Sequence, residues 1–400
     1  MFKSLSLKVI IFGFIFTFFS SFGQSFFLGL FNSSIRDTLS ITQGQFGTIY
    51  ASATLLSSFL LIWVGKKIDD INIFKFAFFV TLLLSFSCFF FSKISSITFL
   101  FIAIFLMRFS GQGMMSHTAT TTISRYFTKS RGKALSTSWF GLSTAEFILP
   151  VLIVYLLTIT AWQNIWVSIS ILVLIFLPIT SFALVKNLNF DSREETKKED
   201  NKNIKQWKRI DVLKDYRFYV VCLNMLAMPW IATGVFVYQS FITESKDWGT
   251  FVIAQSFMVY SILSVITLLV SGFLIDKFTS RKLLIFMNIP LLFSTLVLIF
   301  FHNPLTSFIF LGLIGISNGL ANVLGSSTWA EIYGVKHIGS IKALTTALMV
   351  FSTAFGTALF GLLIDKGYSI EQIAFVSSTY IFLSILLLFF VRNKLNPQYI

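Results

Sequence analysis

Charge is scarce in this chain, and negative charge most of all. Asp and Glu number 17 in 400 residues against 31 Lys and Arg, and charged residues of both signs make up 12%. With 55% hydrophobic residues and a mean hydropathy of +0.81, too little polar surface remains to cover a water-soluble globule, so lipid is the expected solvent. Cysteine is nearly absent. Cys88 and Cys222 stand far apart, each inside an apolar run, which excludes a disulfide framework. The three histidines, His117, His302 and His337, share no zinc-type spacing, and no P-loop, dinucleotide fingerprint or nucleophile elbow occurs. No metal, cofactor or catalytic residue is therefore expected, which disfavours an integral-membrane enzyme. A non-transporting sensor would need a signalling domain or an extended tail, and neither is expected here. The net charge of +14 would point to nucleic acid in a soluble protein, but here it follows the loops, so no nucleic-acid partner is expected. Fifty Phe, spread through every apolar run, read as lipid-facing filler.

A bilayer core needs roughly 20 apolar residues per helix. Twelve such runs occur, near 9–31, 46–64, 74–92, 97–120, 132–156, 164–185, 217–241, 251–274, 282–301, 305–327, 339–363 and 370–391. The N-terminal run is too long for a signal-peptide core and is kept as a span. The fourth, fifth, tenth and eleventh runs are rich in Gly, Ala, Ser and Thr, which let helix backbones approach closely in lipid. With the N-terminus inside, Arg36, Lys93, Lys246 and Lys366 fall outside and Arg108 falls within a span, while every other basic residue faces the cytoplasm. That asymmetry predicts cytoplasmic termini. The fold class expected is all-α integral membrane, in two six-helix bundles, residues 1–186 and 214–400. A charged linker, 187–213, joins them as a solvated tether whose basic side chains and Trp207 could rest on an anionic leaflet. A repeat supports the halves: Gly65 and Asp69 recur as Gly272 and Asp276, and Gly132 as Gly339, at one constant offset.

Two charges sit inside spans, Arg108 in the fourth and Glu146 in the fifth. At ~1.5 Å per residue, Arg108 lies ~25 Å from Arg125 and Glu146 ~22 Å from Arg131, so their depths agree. A charge at mid-bilayer is expensive, by at least ~2.5–3.5 kcal/mol, and marks a pathway by default. Arg108 either binds an anionic solute through its planar fork or pairs permanently with Glu146. On an α-helical period Gln112 and Met115 share the Arg108 face, and His117 points away. Glu146 either carries a proton, so that anion and proton cross as a neutral load, or serves as the static partner. His117 reads as a hydrogen-bonded structural residue. Further solute contacts are Gln24 and Tyr50 in the first half. In the second half they are Asn224, Tyr238 and Gln239 on the seventh run, which Pro229 should kink, and Asn318 and Asn322 on the tenth. Asp69 and Asp276, at the ends of the second and eighth runs beside basic loops, read as parts of a cytoplasmic gate with Gly65, Arg125, Arg131, Gly272, Lys277, Arg281, Lys282 and Glu331.

These loops resemble the cytoplasmic signature of the major facilitator superfamily, G-x-x-x-D-(R/K)-x-G-(R/K)-(R/K). GFLIDKFTSRK keeps Gly272, Asp276, Lys277, Arg281 and Lys282. GKKIDDINIFK keeps Gly65 and Asp69 but has Asp70 where a base is usual. RFSGQG in the fourth run is similar to the superfamily's R-x-x-x-G/Q-G pattern through Arg108, Gln112 and Gly113, a position the family links to proton coupling or substrate contact. The start GQSFFLGLFNSSIR, the RGKAL segment and the Glu146-to-Pro150 spacing look like bacterial monocarboxylate and oxalate–formate carriers. The acid and base pair of animal monocarboxylate carriers is missing from the eighth run, and the exporters' fifth-helix signature is not met. The resemblance implies an alternating-access carrier of the cell inner membrane, not an enzyme. It would be monomeric and take up a small organic anion with protons. The competing reading is an exporter of amphipathic compounds.

Overall fold

A computed structural model describes residues 4–127, 131–186, 205–334 and 336–397. Among the described residues all regular structure is helical. A backbone that crosses lipid must satisfy its own N–H and C=O groups, so each long apolar run has the helix as its single-segment solution. Among the described residues twelve helices are long and apolar enough to cross a membrane: Leu5–Gly29, Gln43–Ile68, Ile73–Phe91, Ile97–Tyr126, Lys133–Ile159, Trp162–Val185, Tyr216–Val237, Thr250–Ile275, Ser280–Phe300, Thr306–Tyr333, Ser340–Asp365 and Ile370–Lys394. Their number and order agree with the apolar runs. One boundary matters for function: the seventh span ends at Val237, a turn follows at Tyr238, and a separate helix runs Gln239–Ser245. Pro229 lies inside the seventh helix.

The chain forms two compact units. One comprises Met1–Thr196 together with Phe236–Ser240, the other Lys197–Val235 together with Phe241–Ile400. Within each, small residues bring helices together. In the first unit Ser85 and Ser170 exchange hydroxyl-to-carbonyl bonds of 3.0 and 2.8 Å between the third and sixth spans. A Cβ at Gly141 of the fifth span would collide with the Phe14 carbonyl of the first. In the second unit Gly315 and Gly319 of the tenth span lie against the carbonyls of Tyr260 and Ser264 of the eighth, where a Cβ would not fit. This is the close approach that association in lipid relies on, because apolar burial gives no net drive there. Large side chains left outside, such as Phe273 at 78% and Phe390 at 70% exposure, are what lipid would solvate.

Residues 187–204 of the charged linker lie outside the described residues, and the remainder is docked, not a free tether. Trp207 N–H donates to the Tyr333 carbonyl at 3.1 Å, and the two rings stand edge to face at 5.4 Å. Trp207 is thus buried in the second unit, which corrects the expectation that it rests on a leaflet; ring burial and a backbone bond fix it instead. Just beyond, buried Arg217 donates to Asp215 at 2.7 Å and to the carbonyls of Lys394 and Asn396, both at 3.1 Å. The Tyr333 hydroxyl adds a second donor to Asp215.

Candidate functional site

The first span is broken in its C-terminal half. A helix over Ser4–Ser20 tightens into a 3-10 turn, Ser21–Gly23; Gln24 is extended (φ −83°, ψ 153°), and a short helix resumes over Ser25–Gly29. The local sequence SSFGQS explains the break. Glycine is a poor helix interior residue, and serine hydroxyls compete for backbone groups, as Ser20 does by donating to the Thr17 carbonyl at 2.7 Å. Breaking a helix at membrane depth exposes carbonyls that need donors, a state tolerated where protein supplies them.

The fourth span supplies one. It is α-helical over Ile97–Met107, then widens to a π-helix over Arg108–Met115 before resuming over Ser116–Tyr126. Such widenings are rare and concentrate at functional sites. Arg108, the first residue of the wide segment, is 2% exposed. Its Nη1 donates to the Gly23 carbonyl at 3.0 Å and reaches the Ser25 hydroxyl at 3.4 Å. Its guanidinium carbon lies 5.4 Å from the centre of the Tyr50 ring, on the second span. The approach of broken helix to wide helix is glycine on glycine. A Cβ on Gly111 would fall 2.7 Å from the Gly23 nitrogen, and one on Gly23 would strike the Met107 carbonyl and the Gln112 nitrogen. The α-helical count that put Gln112 and Met115 on the Arg108 face does not apply here, because bonds over five residues wind the chain more widely.

What Arg108 lacks is a carboxylate. Among the described residues it forms no ion pair, and its Nε has no hydrogen-bond partner. The Tyr50 hydroxyl and, one turn along the same helix, the Thr54 hydroxyl are buried without partners as well. Glu146 is 8% exposed and makes no hydrogen bond or ion pair with any described residue. The static Arg108–Glu146 pair is therefore not formed; the first span packs against both the wide segment and the fifth span. Gln24 and Gln112, chain neighbours of Gly23 and Gly111, are half-buried.

The other expected contacts are scattered. Tyr238 and Gln239 are not part of the seventh span and do not join Asn224. They group with the first unit, where Tyr238 donates to the Gln43 carbonyl at 3.2 Å and Gln239 to the Phe26 and Phe236 carbonyls at 2.9 Å. The reason is the turn at Tyr238, which ends the helix earlier than hydropathy indicates. Asn224 is fully buried in the second unit, with both amide atoms unpartnered. Asn318 donates to the Ser264 hydroxyl at 3.0 Å, and Asn322 is exposed.

At the expected gate, the fourth span holds the end of the second by two bonds. His117 Nε2 donates to the Gly65 carbonyl at 3.0 Å, and Arg125 Nη1 to that of Ile68 at 2.9 Å. In the second unit Glu331 accepts from the Ser280 and Arg281 backbone N–H groups at 2.8 and 3.2 Å and stands 3.8 Å from the Arg281 Nε. Lys277 and Lys282 are exposed, and Gly272 has open space where a Cβ would be. The side chains of Asp69, Arg131 and Asp276 lie outside the described residues. Among the described residues no cluster of His, Cys, Asp and Glu could hold a metal. Sequence reasoning missed Gly23, Ser25 and Gly111. Their signals were a Gly-Gln-Ser step in the first run and a Gly-Gln-Gly step in the fourth.

A family model described as Major Facilitator Superfamily matches residues 13–277 and again residues 219–399. Among solved structures, a bacterial homologue of the human lysosomal transporter Spinster, inward-facing and unoccupied, matches with a TM-score of 0.76 at 11% identity, covering 100% of each chain. Its occupied form gives 0.74 at 11% identity, over 98% of each chain. The nucleoside transporter NupG gives 0.65 at 14% identity, over 98% of this chain and 100% of its own. At such identities the likeness is one of fold. No curated protein matches by sequence.

Proposed function

The chain belongs to the major facilitator superfamily, and from that premise we propose that it is a monomeric secondary transporter of the cell inner membrane, related to bacterial monocarboxylate and oxalate–formate carriers. It takes up a small organic anion with protons by alternating access, with residues 1–186 and 214–400 as the two bundles. The observation that supports this reading is Arg108. A guanidinium buried in a span, faced by a carbonyl and a ring but by no carboxylate, keeps Nε without a partner. A carboxylate is the group whose geometry matches that fork. The Tyr50 hydroxyl is a second donor with nothing to donate to. Gln24 and Gln112 flank the close glycine contact and complete the binding set of the first unit; in the second unit the proposed contacts are Asn224, Asn318 and Asn322. Tyr238 and Gln239 hold backbone.

Glu146 carries the proton in this mechanism. An unpaired acid inside a span can accompany an anion as its neutralising load, and a neutral load avoids the ~2.5–3.5 kcal/mol that each charge adds at mid-bilayer. Gly65, Asp69, Arg125 and Arg131, with Gly272, Asp276, Lys277, Arg281, Lys282 and Glu331, form the cytoplasmic gate.

A thermal-shift screen of the purified protein tests the cargo. Small carboxylates, sulfonates and neutral amphiphiles are compared at two pH values, with Arg108→Gln alongside. A ligand at a hundredfold excess over its dissociation constant stabilises by ~2.7 kcal/mol. A carboxylate should stabilise the wild type, more at low pH, and leave Arg108→Gln unmoved. Equal stabilisation of both proteins by neutral or cationic amphiphiles would contradict this and return the exporter reading.

A further inference from the structure

At the end of the second unit where the ninth span begins and the twelfth finishes, a cavity of about 530 Å³ is lined by Arg281, Lys282 and Arg392 together with Ile285, Phe286 and Leu388. Among the described residues no acidic side chain lines it. The neighbouring basic cavity, about 650 Å³ and bounded by Lys205, Lys214 and Lys394, includes Asp211 and Asp215 and is partly neutralised from within. The cations of the first cavity are held in place. Arg281 Nη1 donates to the Asn396 side-chain oxygen at 2.8 Å, and the Arg392 guanidinium lies 3.9 Å from the centre of the Phe389 ring. Lys282 and Arg392 are exposed, and so are the adjoining Phe286, Phe389 and Phe390.

We infer that this cavity binds the headgroup of an anionic phospholipid, with acyl chains along the exposed phenylalanines. Three observations select that occupant over a soluble anion. The cavity sits at span ends, the depth at which headgroup phosphates lie. Its lining joins three cations to Ile285, Phe286 and Leu388, the mixed polar and apolar chemistry that a lipid presents at the interface. Arg281 stands 3.8 Å from the Glu331 carboxylate, but among the described residues Lys282 and Arg392 form no ion pair, and basic pockets beside spans gain affinity from anionic lipid. The inference does not depend on the identity of the transported solute.

The full-length protein in neutral detergent is titrated with phosphatidylglycerol, phosphatidylcholine or glycerol 3-phosphate while its melting temperature is followed. Phosphatidylglycerol should raise the melting temperature, and the other two should not at equal concentration. A basic group near an anionic headgroup is worth about a fivefold change in affinity, so Lys282→Gln with Arg392→Gln should weaken phosphatidylglycerol binding by about 25-fold. The charge-conserving pair Lys282→Arg with Arg392→Lys should retain it, as should Lys205→Gln with Lys214→Gln in the other cavity. The inference is overturned if phosphatidylcholine acts equally, if glycerol 3-phosphate alone reproduces the shift, or if both glutamine pairs weaken binding alike.

Discussion

Two buried arginines in this chain are partnered in opposite ways, and the contrast separates structure from function. Arg217 is bonded to Asp215 and to two carbonyls, so removing the acid strands a buried cation. Asp215→Ala should cost ~3–5 kcal/mol, read as a lower melting temperature of the purified protein. Arg108 has no such acid, only the Gly23 carbonyl, the Ser25 hydroxyl and the Tyr50 ring. Burying an unpaired cation costs several kcal/mol, while its one short neutral acceptor returns only ~1.5–3 kcal/mol. Arg108→Gln should therefore leave thermal stability unchanged or raise it while abolishing uptake. A fall in melting temperature as large as that of Asp215→Ala would make Arg108 a structural residue. Both charges inside spans were legible in the sequence, because charge in an apolar run needs no geometry to be noticed. Their lack of mutual contact was not legible, since azimuth depends on which helix packs between them.

At the scale of the element, the site is made by two defects that meet: a break at Gln24 and a widening from Arg108 to Met115. Gly23 and Gly111 are the contact between them, and any Cβ there reaches backbone, which cannot rotate away. Gly111→Ala should cost ~1–3 kcal/mol through forced backbone displacement and lower the melting temperature, with uptake reduced even where folded protein is recovered. Stability equal to wild type would mean that the two helices part freely at this point. Hydropathy found these spans because it averages over some twenty residues. It missed their irregularities for the same reason, as it missed the end of the seventh span at Val237, where Tyr238 and Gln239 turn to bond carbonyls of the first unit. The linker shows a different limit. Composition marks it as charged, but the burial of Trp207 against Tyr333 is a tertiary fact that no local pattern carries.

At the scale of the molecule, twelve spans and a family-wide match follow from apolar run length and from loop motifs at a constant offset, features that survive in a single sequence. The side on which each loop lies rests on the distribution of basic residues, and native cysteines make it measurable. Cys88 and Cys222 are buried, so an impermeant thiol reagent applied to intact cells should ignore the wild type. It should label Lys93→Cys and Lys366→Cys but reach Lys282→Cys only after lysis; labelling of Lys282→Cys in intact cells would invert the topology. The central claim is that Arg108 binds the transported anion and Glu146 carries its proton. The most direct test is uptake of a radiolabelled small carboxylate into proteoliposomes under an inward proton gradient, with an internal dye reporting proton entry. Wild type should accumulate the anion and acidify the lumen together, Arg108→Gln should do neither, and Glu146→Gln should lose the response to the gradient. Anion uptake that persists in Arg108→Gln, or that runs at the same rate without a gradient in wild type and Glu146→Gln alike, would contradict the account.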